Sequence, residues 1–133
     1  MKNNIADFCG GFSDQKETAA EIKRVYEKYG YVMDPHTAVG SAVYQGFQKD
    51  SGSTLPVVIA STASPYKFAR SVLTAIDPKY GDMDDFDLFD HLSELSGVKI
   101  PDAIEEIRTA PVLHDIVIHK EEMEEQVKKF LGI

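Results

Sequence analysis

The feature that most constrains the fold is the run Val57-Val58-Ile59-Ala60. Consecutive apolar, β-branched residues without polar alternation fit a strand buried on both faces, as in a parallel sheet. Such a strand cannot stand alone, because buried backbone N–H and C=O groups must be paired. Only two weak candidates could lie beside it. One is Tyr31-Val32-Met33; the other joins Val112-Leu113 to Ile116-Val117-Ile118, read as an edge strand or packed loop. The expected fold class is therefore α/β, a helix-rich, three-layer fragment of a mostly parallel sheet whose other strands are missing. The chain reads like a fragment.

Helices account for most of the rest. Asp14 and Glu17 have capping-box spacing. Ile22, Val25, Tyr26 and Tyr29 then recur at i, i+3, i+4 and i+7, and Gly30 sits where a left-handed cap is expected. Asp34-Pro35 reads as an N-cap followed by proline at the first helical position, opening a helix that runs to about Gln48. Pro65 opens a third helix through Phe68, Val72, Leu73 and Ile76, ended by Asp77-Pro78. Phe86 to Leu95, Pro101 to Ile107 and Met123 to Leu131 mark three more, with Gly97 and Gly132 as stops after the first and last. Tyr26, Tyr29, Tyr31 and Tyr44 are expected to fill the core.

A chain of 133 residues allows one domain, here residues 1–133. No apolar run approaches the roughly 20 residues of a membrane span, and Met1–Asp7 lacks the apolar centre of a secretory leader. Those readings predict a cytoplasmic protein with no membrane partner. Net charge −8, from 14 Lys+Arg against 22 Asp+Glu, argues against nucleic acid, since phosphate neutralisation needs a basic face. One cysteine, Cys9, excludes an intrachain disulfide and a multi-cysteine zinc site, and is read as a small buried apolar residue. His91, His114 and His119 lack metal-ligand spacing, so no metal is expected.

Two segments repeat one local plan: a short apolar run, a polar turn, and a helix opened by proline. They are Tyr31–Gly40 and Val57–Phe68. In open α/β sheets ligands bind where strands end and helices begin, near unpaired N–H groups. Ser61, Thr62 and Ser64 add hydroxyls there and Lys67 a charge, while His36 stands at a helix mouth with a pKa range suited to proton transfer. By spacing alone the signal is weak, and capping hydroxyls and a surface lysine are the favoured reading.

The strings Asp34-Pro35-His36-Thr37-Ala38-Val39-Gly40 and Ser61-Thr62-Ala63-Ser64-Pro65-Tyr66-Lys67-Phe68, in this order and at roughly this separation, resemble the carboxyl-terminal region of threonine synthases. The preceding stretch resembles it too, with Gly10-Gly11 and Tyr29-Gly30-Tyr31; the similarity runs through about residues 5–76. This resemblance implies part of a pyridoxal-phosphate enzyme of fold type II, with a tryptophan synthase β-like fold. Its reaction would convert O-phospho-L-homoserine and water into L-threonine and phosphate. It further implies Thr62, Asp34 and Ser61 as cofactor-binding residues, with the Thr62 hydroxyl meeting the pyridine nitrogen. His36 and Lys67 are implied as substrate-binding. Family members often carry His-Pro where this chain has Ser64-Pro65, which removes support for a role of Ser64.

The family's cofactor lysine, in a Ser-Phe-Lys-Asp type motif, and its glycine-rich phosphate loop have no counterpart in this sequence. No catalytic residue is therefore expected among these residues, and the chain by itself is expected to be inactive. A second reading is a stand-alone, non-catalytic module that binds a small molecule or a partner chain, self-associating through exposed surface. An independent hydrolase lacks any nucleophile–base motif.

Overall fold

The computed structural model describes residues 8–133; Met1–Asp7, read above for a leader, lies outside the described residues. Six α-helices follow in order: α1 (Gln15–Tyr29), α2 (Pro35–Ser51), α3 (Ala69–Ile76), α4 (Asp85–Ser96), α5 (Asp102–Arg108) and α6 (Met123–Leu131). Short 3₁₀ turns stand at Pro65–Phe68, Pro78–Tyr80 and Lys120–Glu122. Among the described residues there is no strand. This overturns the expected α/β sheet fragment. Tyr31–Met33 and Val57–Ala60 are both irregular connections, and so is the stretch from Val112 to Ile118. The physical reason is that a ladder needs a second backbone, and among the described residues no other extended segment pairs with any of these runs.

The helix boundaries follow from the capping chemistry. Asp14 and Glu17 form the capping box: the Glu17 N–H donates to Asp14 Oδ1 at 2.8 Å, and the Asp14 N–H donates to Glu17 Oε2 at 3.0 Å. Gly30, Gly52, Gly97 and Gly132 end α1, α2, α4 and α6 in the left-handed region. Gly52 carries α2 one turn beyond the expected Gln48.

The described chain divides into two compact units, up to Asp102 and Ala103–Ile133. In the first, α1 packs against α2 and α3, and α3 against α4. Ile22, Val72, Leu73, Leu88 and Leu92 are its largest fully buried apolar side chains, joined by Val25, Val32, Met33 and Ala38. Burying a side chain of this size stabilises by roughly 1.5–3 kcal/mol, which is what holds the four helices together. Of the tyrosines assigned to the core, Tyr26 and Tyr44 are half-buried and Tyr29 and Tyr31 exposed, while the fully buried ones are Tyr66 and Tyr80.

In the second unit no residue is buried. Val112, Val117, Phe130 and Leu131 all face solvent, although Met123, Val127, Phe130 and Leu131 form one helical stripe. Among the described residues no helix is long and apolar enough to cross a membrane. Cys9 is exposed rather than buried.

Candidate functional site

Asp34 is the centre of the site. It stands at the N-cap of α2, in extended backbone, with proline following it at the first helical position. Its side chain is 1% exposed, because Val32 and Met33 before it and Ala38 after it are buried in the core. Oδ1 accepts the N–H groups of His36 at 2.9 Å and Thr37 at 3.3 Å, and lies 3.3 Å from His36 Nδ1. Oδ2 accepts the Thr37 hydroxyl and, at 3.5 Å, that of Ser61. Ser61 Oγ is also 3.1 Å from Thr37 Oγ1. Burial pushes the Asp34 carboxyl up, but the Thr37 hydroxyl, the two N–H groups and the His36 ring together outweigh it and hold it below the usual carboxylate value.

The structure thus brings Asp34, His36 and Ser61 into one cluster. It adds Thr37, which spacing had not singled out, and Phe68, whose ring centroid lies 5.0 Å from that of His36. The His36 ring is otherwise exposed, at the edge of a groove of ≈ 550 Å³ whose lining includes Ser13, Thr18, Val39, Phe68 and Ser71. Thr62 and Lys67 are not drawn into the cluster. Thr62 is exposed and makes no hydrogen bond among the described residues. Lys67 is also exposed, and the bond it makes is a backbone one, its N–H donating to the Ser64 carbonyl at 3.1 Å. Ser64 caps the 3₁₀ turn, accepting the Tyr66 N–H at 3.3 Å.

This geometry limits the available chemistry. The leading N–H groups of α2 already face a carboxylate, so that helix end is not an open anion site. Among the described residues the groups of this site without a partner are the Thr62 hydroxyl, the outer nitrogen of His36 and the Lys67 ammonium.

A second polar network escaped the sequence reading. Glu21, buried on α1, accepts Arg24 Nε and Nη2, both at 2.7 Å, and the Ser41 hydroxyl of α2 at 2.5 Å. The Arg24 guanidinium leads in lowering the Glu21 pKa; burial opposes it, and the Ser41 and Gln45 side chains lower it further. The available signal was Glu21 lying beside Ile22 and three residues after Thr18, on the buried stripe. Glu21, Arg24 and Gln45 border a second groove of ≈ 920 Å³, where Gly11 packs so closely on Val43 that an added Cβ would stand 2.4 Å from its Cγ1.

A helical unit presenting an acid-anchored histidine and, near it, one threonine hydroxyl without a partner among the described residues is the class of protein defined so far. The family model described as "Threonine synthase, C-terminal" matches residues 37–131. The chain belongs to this family. It is 38% identical over 73 residues to human threonine synthase-like 1, covering 55% of this chain and 9% of that protein. With the threonine synthase of Saccharomyces cerevisiae it is 37% identical over 75 residues, covering 53% of this chain and 15% of that one. For the Corynebacterium glutamicum threonine synthase the figures are 32% over 69 residues, 52% and 14%. The match thus spans 9% to 15% of these relatives' length. No solved structure matches the chain.

Proposed function

We propose that this chain is the carboxyl-terminal part of a cytoplasmic threonine synthase, which converts O-phospho-L-homoserine and water to L-threonine and phosphate using pyridoxal phosphate. The observation that carries the reading is the position of Thr62: a hydroxyl with no partner among the described residues, directly following Ser61, which is tied to the anchored Asp34. The donor set fits the cofactor. A neutral, unengaged hydroxyl is a suitable partner for a pyridine nitrogen, because it does not force that nitrogen to be protonated as a carboxylate would. Pyridoxal phosphate supplies an electron sink for the negative charge developed beside the substrate amine.

The chain's own residues then divide the work. Thr62 holds the ring edge. Asp34 and Thr37 fix Ser61, and through it the backbone that carries Thr62. His36, steadied by Asp34 on one nitrogen and by the Phe68 ring, offers its other nitrogen to the phosphate group of the substrate, with Lys67 as an added positive charge. The cofactor-linked lysine and the phosphate-binding loop are supplied by residues outside these 133, so this chain alone is inactive.

The test is complementation. The chain is mixed with the amino-terminal region of a threonine synthase carrying the lysine motif, and phosphate release from O-phospho-L-homoserine is followed. Release is expected from the mixture and from neither part alone. Thr62→Val should lower kcat about ten- to a hundredfold, the value of one hydrogen bond to a charged or polarised partner. Release by the chain alone, or full activity with Thr62→Val, refutes the reading.

A further inference from the structure

The connection that carries Thr62 has no ladder to hold it in place. From Pro56 to Ala63 no backbone N–H or C=O makes a hydrogen bond among the described residues. Three contacts with α2 hold it instead. The Tyr44 hydroxyl donates to the Leu55 carbonyl at 3.2 Å. Ile59 lies over Gly40, where an added Cβ would stand 3.4 Å from its Cγ2. Ser61 Oγ lies 3.1 Å from Thr37 Oγ1. Thr37, Gly40 and Tyr44 are spaced by three and four residues, so they share one face of α2. The connection therefore runs along that face from Tyr44 to Thr37, with Ile59 half-buried between exposed neighbours.

We infer that Gly40 and Tyr44 are positioning residues for Thr62: with Thr37 they form the seat on α2 that sets where the Thr62 hydroxyl stands. Thr62 makes no hydrogen bond of its own among the described residues. It is one residue beyond Ser61, about 3.8 Å along the chain, so a shift of Ser61 passes to it almost undiminished. At Gly40 the seat is a matter of size. A Cβ at 3.4 Å from Ile59 is in ordinary contact, so alanine fits; the two further methyls of valine reach into the place of Ile59, which must lift. Helix propensity points the other way, since alanine and valine both suit a helix interior better than glycine. Loosening by valine would therefore not be a loss of α2. At the far end, removing the Tyr44 hydroxyl leaves the Leu55 carbonyl without its tie to the helix. The consequence for catalysis rests on the proposed role of Thr62; the seating itself does not.

The first test is NMR relaxation of the whole 133-residue chain, without cofactor. The amides from Ile59 to Thr62 should be more ordered than those of Val57 and Val58. Gly40→Val should take them from the rigid range, about 0.85 in order parameter, to below about 0.6. Tyr44→Phe should loosen Leu55 most and Thr62 less. Gly40→Ala should leave the connection as it was. So should Gly46→Val, the same change on the same helix where nothing lies within 4 Å of the added Cβ. Circular dichroism should not change in any of them. The second test uses the complemented enzyme. Gly40→Val should lower kcat about tenfold and Tyr44→Phe about two- to fivefold, with the KM for O-phospho-L-homoserine unchanged. In a Thr62→Val background neither should lower it further, because both act through that hydroxyl. Order parameters that ignore Gly40→Val and Tyr44→Phe, or that respond equally to Gly46→Val, overturn the inference. So does a further fall in kcat in the Thr62→Val background. If Thr62→Val is itself without effect, the cofactor reading fails, and the order parameters alone decide the seating.

Discussion

Tyr31–Gly40 and Val57–Phe68 share one sequence plan and meet different fates. In the first, Val32 and Met33 are buried, and the acidic cap that follows is sealed into the core. In the second, Val57 and Val58 face solvent, and the serine cap at Ser64 holds only a 3₁₀ turn before α3 begins. The difference lies in the neighbours. The first segment connects α1 to α2, which pack against each other, so its apolar residues are carried into the interface between them. The second leaves α2 at Gly52 and reaches the next helical turn only at Pro65. Ile59 touches the body of the unit at Gly40, while the residues around it are left outside. An apolar run therefore predicts a wish for burial, and the topology decides whether the wish is met.

The contrast can be broken most forcefully at Met33. Met33→Ala should cost about 2–5 kcal/mol in denaturant unfolding, the range for a buried large-to-small change. A loss below about 1 kcal/mol would mean that the first connection is no better packed than the second. Asp34→Ala comes next, at about 1–3 kcal/mol, because it removes the cap of α2 and leaves the Thr37 and Ser61 hydroxyls without their acceptor. Asp34→Asn should recover much of that, since asparagine caps almost as well.

Acid gives a third handle. Asp34 and Glu21 both titrate below their ordinary values of 3.8 and 4.5. A carboxyl lowered in this way stabilises the fold above its unfolded-state value, and that contribution is lost as pH falls through the folded-state value. The melting temperature should therefore be insensitive to these groups at neutral pH and should decline as pH drops below 4.5 and then below 3.8. Asp34→Asn should flatten the lower part of that decline; an unchanged slope would show that the anchored carboxylate carries none of it. The smallest effects belong to the exposed segment. Ser64→Ala should cost about 0.5–1 kcal/mol, and Val58→Ala no more than about 0.5 kcal/mol.

Local chemistry was readable where its cause lies within a few residues. The Asp14–Glu17 box, the Asp34-Pro35 helix start and the closing glycines Gly30, Gly97 and Gly132 depend on backbone groups one turn away, and each stands where the spacing put it. The cluster at Asp34 was half legible. His36 and Thr37 are its helix neighbours, whereas the approach of Ser61 across 27 residues is a tertiary fact. Glu21 was hidden for a related reason: a carboxylate on a buried stripe becomes acceptable only once Arg24 and a serine of another helix satisfy it. The sheet was the main misreading, and it came from treating β-branched composition as evidence of pairing.

By itself the sequence determined most of the helix starts and stops, the family to which the chain belongs, and a net charge of −8. Those depend on short-range hydrogen bonding, on residue strings, and on charge that can be counted. Only the tertiary structure decided which apolar run is covered and which is bare, and which of two proline-opened helices has its acid buried. Burial and strand pairing are relations between distant segments, and no window along one chain contains both partners.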